Sequence, residues 1–77
     1  QQRMERQKPI KRELAKVEAR MTAASTERDQ LETRLAQPLA PAEIAEAGKR
    51  LKALTDEINK LEELWLHLTD ELEAAGA

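Results

Sequence analysis

Gln37-Pro38-Leu39-Ala40-Pro41 decides the fold. Pro38 has no N–H and disfavours a helical conformation at the residue before it, so a helix arriving from the N-terminal side ends near Ala36. Pro41 has the opposite effect. In the first turn of a helix a missing N–H leaves no bond unmade, and Glu43 and Glu46 just beyond suit the positive end of a helix dipole.

On either side of this break the apolar residues keep one period. Toward the N-terminus they are Ile10, Leu14, Val17, Met21, Ala24, Leu31 and Leu35, with Arg28 in the same register. Toward the C-terminus they are Ile44, Ala47, Leu51, Leu54, Ile58, Leu61, Trp65, Leu68 and Leu72. Spacings of three and four alternate without a slip, which is a heptad seam of period 3.5 and implies left-handed supercoiling. A connection this short makes the two helices antiparallel neighbours. The expected fold is therefore all-α, a two-helix antiparallel coiled-coil hairpin: helix 9–36, tip 37–40, helix 41–74. Pro9 marks the expected start of the regular helix, with residues 1–8 a frayed or kinked lead-in. Gly48 weakens the early second helix by about 1 kcal/mol relative to Ala. The two prolines oppose one continuous helix opening into a dimer, so a monomer is expected.

Charge predicts the alignment. With Ile10 facing Trp65, paired seam positions sum to 75. The flanks then bring Lys11 to Glu62, Arg20 to Glu57, Glu27 to Arg50 and Arg34 to Glu43, all opposite in sign. Sliding one heptad, so that Val17 faces Trp65, meets Leu14 and Ile10 with Leu68 and Leu72. It also juxtaposes Arg34 with Arg50, Glu27 with Glu57, Glu13 with Glu71 and Glu18 with Glu62, all like-signed. The first register is preferred because flanking charges set alignment in coiled coils. It places Arg28 opposite Ala47, where a long stem snorkels outward. It also leaves Leu68 and Leu72 to be covered by residues 1–8, including Met4.

Composition excludes several functions. The 77 residues hold no Cys, no Phe, no Tyr and one Trp. Without Cys there is no disulfide and no thiolate metal site. Ala, Glu, Lys, Leu and Arg make up 49 residues, above the roughly one-half share typical of long helices and coiled coils. No apolar run approaches the roughly 18 residues of a membrane span, so no membrane partner is expected. The chain opens on Gln1 rather than Met, and the expectation is a C-terminal piece of a larger protein. No catalytic constellation is present, so the domain alone is not expected to be an enzyme. His67, the only His, falls on an outward position without a nucleophile or ligand cluster beside it. No Gly-rich phosphate loop occurs, so no cofactor is expected here. Trp65 lies in the seam and reads as a core anchor. Leu64 and Leu66 fall off the seam, either beneath the lead-in, against a neighbouring domain, or exposed.

Charge is abundant but unevenly placed. The net is −2, divided into +3 over residues 1–36 and −5 over 37–77. This is read as two mutually attracting helices or as a basic arm for a polyanion. Arg3, Arg6, Lys8, Lys11, Arg12 and Lys16 cluster at the open end, and Lys49, Arg50 and Lys52 lie nearer the tip. Arg6, Lys8, Lys11, Arg12, Lys16, Lys49, Arg50 and Lys52 are the candidate nucleic-acid contacts, because phosphates need only positive charge within reach. Aromatic residues that would stack on single strands are absent from both groups.

The arrangement resembles a known family. Arg6-Gln-Lys-Pro-Ile-Lys-Arg-Glu-Leu-Ala-Lys-Val-Glu18 leads into a heptad helix and a Pro-containing tip. The second helix then closes on Leu61-Glu-Glu-Leu-Trp-Leu-His-Leu-Thr-Asp-Glu-Leu-Glu73. This is similar to the C-terminal coiled-coil domain of ABC-F (Uup-like) ATPases, over nearly the whole chain. The resemblance implies two upstream ATPase domains that hold the ATP and a cytoplasmic location. It also implies partners among DNA, ribosomal RNA and those upstream domains. The tip departs from the family pattern, since Gln37-Pro-Leu-Ala-Pro41 has no acidic-aromatic element. The function expected is a nucleic-acid-binding accessory domain acting through basic helix faces; the alternative is a structural or protein-docking hairpin that uses Leu64, Leu66 and Leu39.

Overall fold

In a computed structural model of the protein the chain forms two helices, α1 (Gln2–Leu35) and α2 (Pro41–Gly76). The structure describes the backbone of residues 2–76 and the side chains of residues 4–76. The helices pack on each other along their length and form a rod of 58 × 14 × 13 Å. At 1.5 Å per residue, the 36 residues of α2 account for nearly all of that length.

The tip closes as its prolines require. The Ala36 N–H is shared between the carbonyls of Glu32 at 3.2 Å and Thr33 at 3.3 Å, and the Gln37 N–H donates to the Arg34 carbonyl at 3.1 Å. These tighter bonds satisfy carbonyls that have no partner at a helix end. Among the described residues none has a positive φ, so no left-handed residue makes the turn. Pro41 is the first residue of α2, and the Ile44 N–H donates to the Ala40 carbonyl at 3.0 Å.

The seam carries the core. Val17, Ala24, Ala47, Leu54, Ile58 and Leu68 are buried, and the other seam positions between Ile10 and Leu72 are half-buried, except Ile44, which is exposed beside the tip. Ala24, Leu54 and Ile58 form one cluster, with Leu31 packed against it. Three of the four expected charge pairs are observed: Arg20 meets Glu57, Glu27 meets Arg50, and Arg34 meets Glu43. Arg28 sits in the seam half-exposed, its guanidinium 3.5 Å from Asp29 at the surface, while Ala47 opposite is buried.

Two details differ from expectation. Helix α1 does not begin at Pro9; it runs unbroken from Gln2 through Pro9. Pro9 leaves the Glu5 carbonyl without its helical donor, but Glu5 is exposed and water can serve it. Continuing the helix keeps Gln7 half-buried. Met4, expected to take part in the cover of Leu68 and Leu72, is 66% exposed. The side chain of Gln7 also lies against Gly76 at the end of α2.

Candidate nucleic-acid interface

The tip half of the hairpin neutralises its own charge. Arg20 donates from Nε and Nη2 to the two carboxylate oxygens of Glu57, both at 2.6 Å. Arg50 donates in the same two-pronged way to Glu27, at 2.5 and 2.8 Å. Planar, paired contacts of this kind are the strong form of an Arg–carboxylate interaction. Arg34 reaches Glu43 at 3.5 Å. The hydrogen bonds from Arg50 and Arg20 hold the carboxyls of Glu27 and Glu57, respectively, below their ordinary range. The same bonds raise both arginines further above theirs.

The candidate cations divide accordingly. Arg50 belongs to the ladder, its guanidinium committed to Glu27. Lys16 lies 3.4 Å from Glu13 on its own helix, with most of its side chain in solvent. Arg6, Lys8, Lys11, Arg12, Lys49 and Lys52 are exposed and make no ion pair among the described residues. Arg3 has a side chain outside the described residues. The expected contact of Lys11 with Glu62 is not within 4 Å.

Placement decides which of these can act together. Lys8, Arg12 and Lys16 recur every four residues and so form one stripe along the outer face of α1, with Arg6 and Lys11 on its flanks. Lys49 and Lys52 lie on the outer face of the other helix. Arg50, between them in sequence, meets Glu27, which puts them near the level of Glu27 on α1, more than about 20 Å along the axis from the centre of the first group. The two groups therefore do not form one patch, and the five residues of α1 are the candidate interface.

Neighbouring features hold no chemistry of their own. His67 is exposed on its outward position, and among the described residues no cluster of His, Asp and Glu is placed to hold a metal. Trp65 is half-buried in the seam and donates its indole N–H to Glu18 at 3.3 Å. Side chains lean toward the N-terminus of their own helix, so in an antiparallel pair Trp65 and Glu18 lean toward each other across several residues. Leu64 and Leu66 are exposed. Among the described residues no helix is long and apolar enough to cross a membrane.

Sequence reasoning overlooked one feature. Extending the observed flank rule, in which partners sum to 77, pairs Arg6 with Glu71 and Glu13 with Leu64. Neither is an ion pair among the described residues, so the ladder stops at Arg20. The leucine on the flank was the available signal.

Comparison with known proteins gives one match. The model of the family described as ABC transporter C-terminal domain matches residues 7–70, most of the chain. No curated protein and no solved structure matches.

Proposed function

The chain belongs to the ABC transporter C-terminal domain family, and from that premise we propose that it is the nucleic-acid-binding accessory domain of a cytoplasmic ABC-F ATPase. The stripe Lys8–Arg12–Lys16, flanked by Arg6 and Lys11 and left free of cross-helix carboxylates, supports this reading. These cations displace counterions from a phosphate backbone and position the upstream ATPase domains on DNA or ribosomal RNA without reading bases. ATP binding and hydrolysis belong to those upstream domains, and the hairpin performs no catalytic step. The ladder in the tip half occupies two carboxylates of α2, Glu43 and Glu57, with Arg34 and Arg20 of α1.

The test is fluorescence anisotropy of the 77-residue chain against duplex DNA, single-stranded DNA and structured RNA at about 50 and 200 mM salt, where phosphate-dominated binding falls steeply. Binding at the lower salt is expected, with Lys8→Glu, Arg12→Glu and Lys16→Glu together abolishing it. Single neutral changes should each lower the salt slope by about one unit. Lys49→Gln with Lys52→Gln should have the smaller effect. No binding at the lower salt would sink the reading. It would favour the docking hairpin, for which the exposed Leu66 and Leu64 speak.

A further inference from the structure

The outer end of α2 carries a surface that phosphate binding does not use. Leu66 is 57% exposed. Its neighbours three and four residues away along the helix are Glu62, Glu63, Thr69 and Asp70, and such neighbours share a face. Glu73 continues the same row one turn further. Glu62, Glu63, Asp70 and Glu73 are all exposed, and none makes an ion pair among the described residues. On α1, Met4 is 66% exposed. Lys11 is the cation facing this flank from α1, and it leaves Glu62 unpaired. A single exposed leucine needs no explanation. A leucine with four carboxylates around it, none of them in an ion pair among the described residues, is a different case.

From this we infer that the Leu66 face of α2 docks a basic amphipathic segment of another polypeptide, one whose Lys or Arg residues meet Glu62, Glu63, Asp70 and Glu73 and whose apolar side chain packs on Leu66. Charge complementarity selects the occupant. A second copy of this chain fits less well: it carries a net charge of −2, and the one large exposed apolar side chain beside its basic stripe among the described residues, Met4, lies at the end of that stripe, one turn before Lys8. A nucleic acid is repelled by the same carboxylates. The face is distinct from the cationic stripe of α1, so the inference stands whether or not that stripe binds phosphate.

The experiment titrates the 77-residue chain into a fluorescein-labelled 18-residue helical peptide with Leu at helical spacing and Lys and Ala elsewhere. Two control peptides replace Leu by Ser or Lys by Glu. The Lys/Leu peptide should bind at about 50 mM salt, and each control should bind at least tenfold more weakly. In the protein, Leu66→Ser should weaken binding about tenfold, as should Glu62→Gln, Glu63→Gln and Asp70→Asn together. Leu64→Lys lies on the opposite flank and should leave affinity unchanged, and Lys8→Glu with Arg12→Glu should not reduce it. Circular dichroism checks that every variant keeps its helix. Failure of the Lys/Leu peptide to bind would overturn the inference. So would equal binding of the Ser peptide, or indifference to Leu66→Ser. Concentration-dependent mass that Leu66→Ser abolishes would assign the face to a second copy and overturn the choice of occupant.

Discussion

The tip half and the open half of the hairpin share one heptad pattern and differ in their charges. Between Arg20 and Glu57 on one side and the tip on the other, three cross-helix ion pairs stand beside the buried cluster of Ala24, Leu54 and Ile58. Between that level and the open end, Val17 and Leu68 are still buried, but among the described residues no ion pair crosses the seam. Seam residues make both halves helical and hold them together. Flank residues decide whether a half is closed on itself or leaves charge for something else. In the tip half the flanks fix alignment. In the open half they leave a cationic stripe on one helix and an acidic, leucine-bearing face on the other.

The comparison can be broken first in the core. Leu54 is fully buried, and Leu54→Ala should cost about 2–5 kcal/mol, measured by urea unfolding followed by circular dichroism. Leu68→Ala, in the open half, should cost less, because Leu68 retains some exposure. Equal costs would mean that the two halves are packed alike. A gain is expected from Gly48→Ala. A Cβ built there meets nothing within 4 Å, so the change should stabilise the tip half by about 1 kcal/mol through helix propensity alone. A loss of stability there would show that the helices approach more closely at Gly48.

The smallest effect is on pH. The carboxyls of Glu27 and Glu57 are lowered from 4.5 by their arginine hydrogen bonds. The unfolded chain therefore binds more protons than the folded chain as pH falls through that range. The contribution of these pairs is fully present above about pH 4.5 and is lost as pH falls through the lowered folded values. Unfolding midpoints recorded across that range should drop in the parent chain, and drop less steeply once Glu27→Gln and Glu57→Gln are introduced. Equal steepness in the two proteins would remove the ladder as a source of acid sensitivity.

Much of this was legible in the residues. Pro38 and Pro41 located the tip, because ring closure and a missing N–H act locally. The three cross-helix ion pairs followed from charged flanks, since Arg20, Arg34 and Arg50 each have one carboxylate opposite. The start of α1 was not legible. Pro9 signals a boundary by local rules, but the packing of Gln7 against Gly76 favours helix on both sides of it, and that contact comes from the partner helix. Among the site residues, Arg50 carried the same charge in the sequence as Lys49 and Lys52; only its place opposite Glu27 withdraws it from solvent. The distance between the two cation groups also needed the register, which no local pattern supplies.

The tip has a kinetic consequence. In an antiparallel hairpin the sequence separation of partners grows with distance from the turn. Leu31 and Ile44 enclose about a dozen residues, whereas Ile10 and Trp65 enclose more than fifty. Closing the outer loop before the inner one costs about 1 kcal/mol more in chain entropy. Contacts beside the tip therefore form first and shorten the effective loop for each pair that follows, so that the hairpin zips from Pro38 outward. Glu27, Arg50 and Leu54 lie in the part that closes early, and changes there should slow folding. Changes at Leu68 should mainly speed unfolding, which begins at the end where the stripe and the acidic face are displayed.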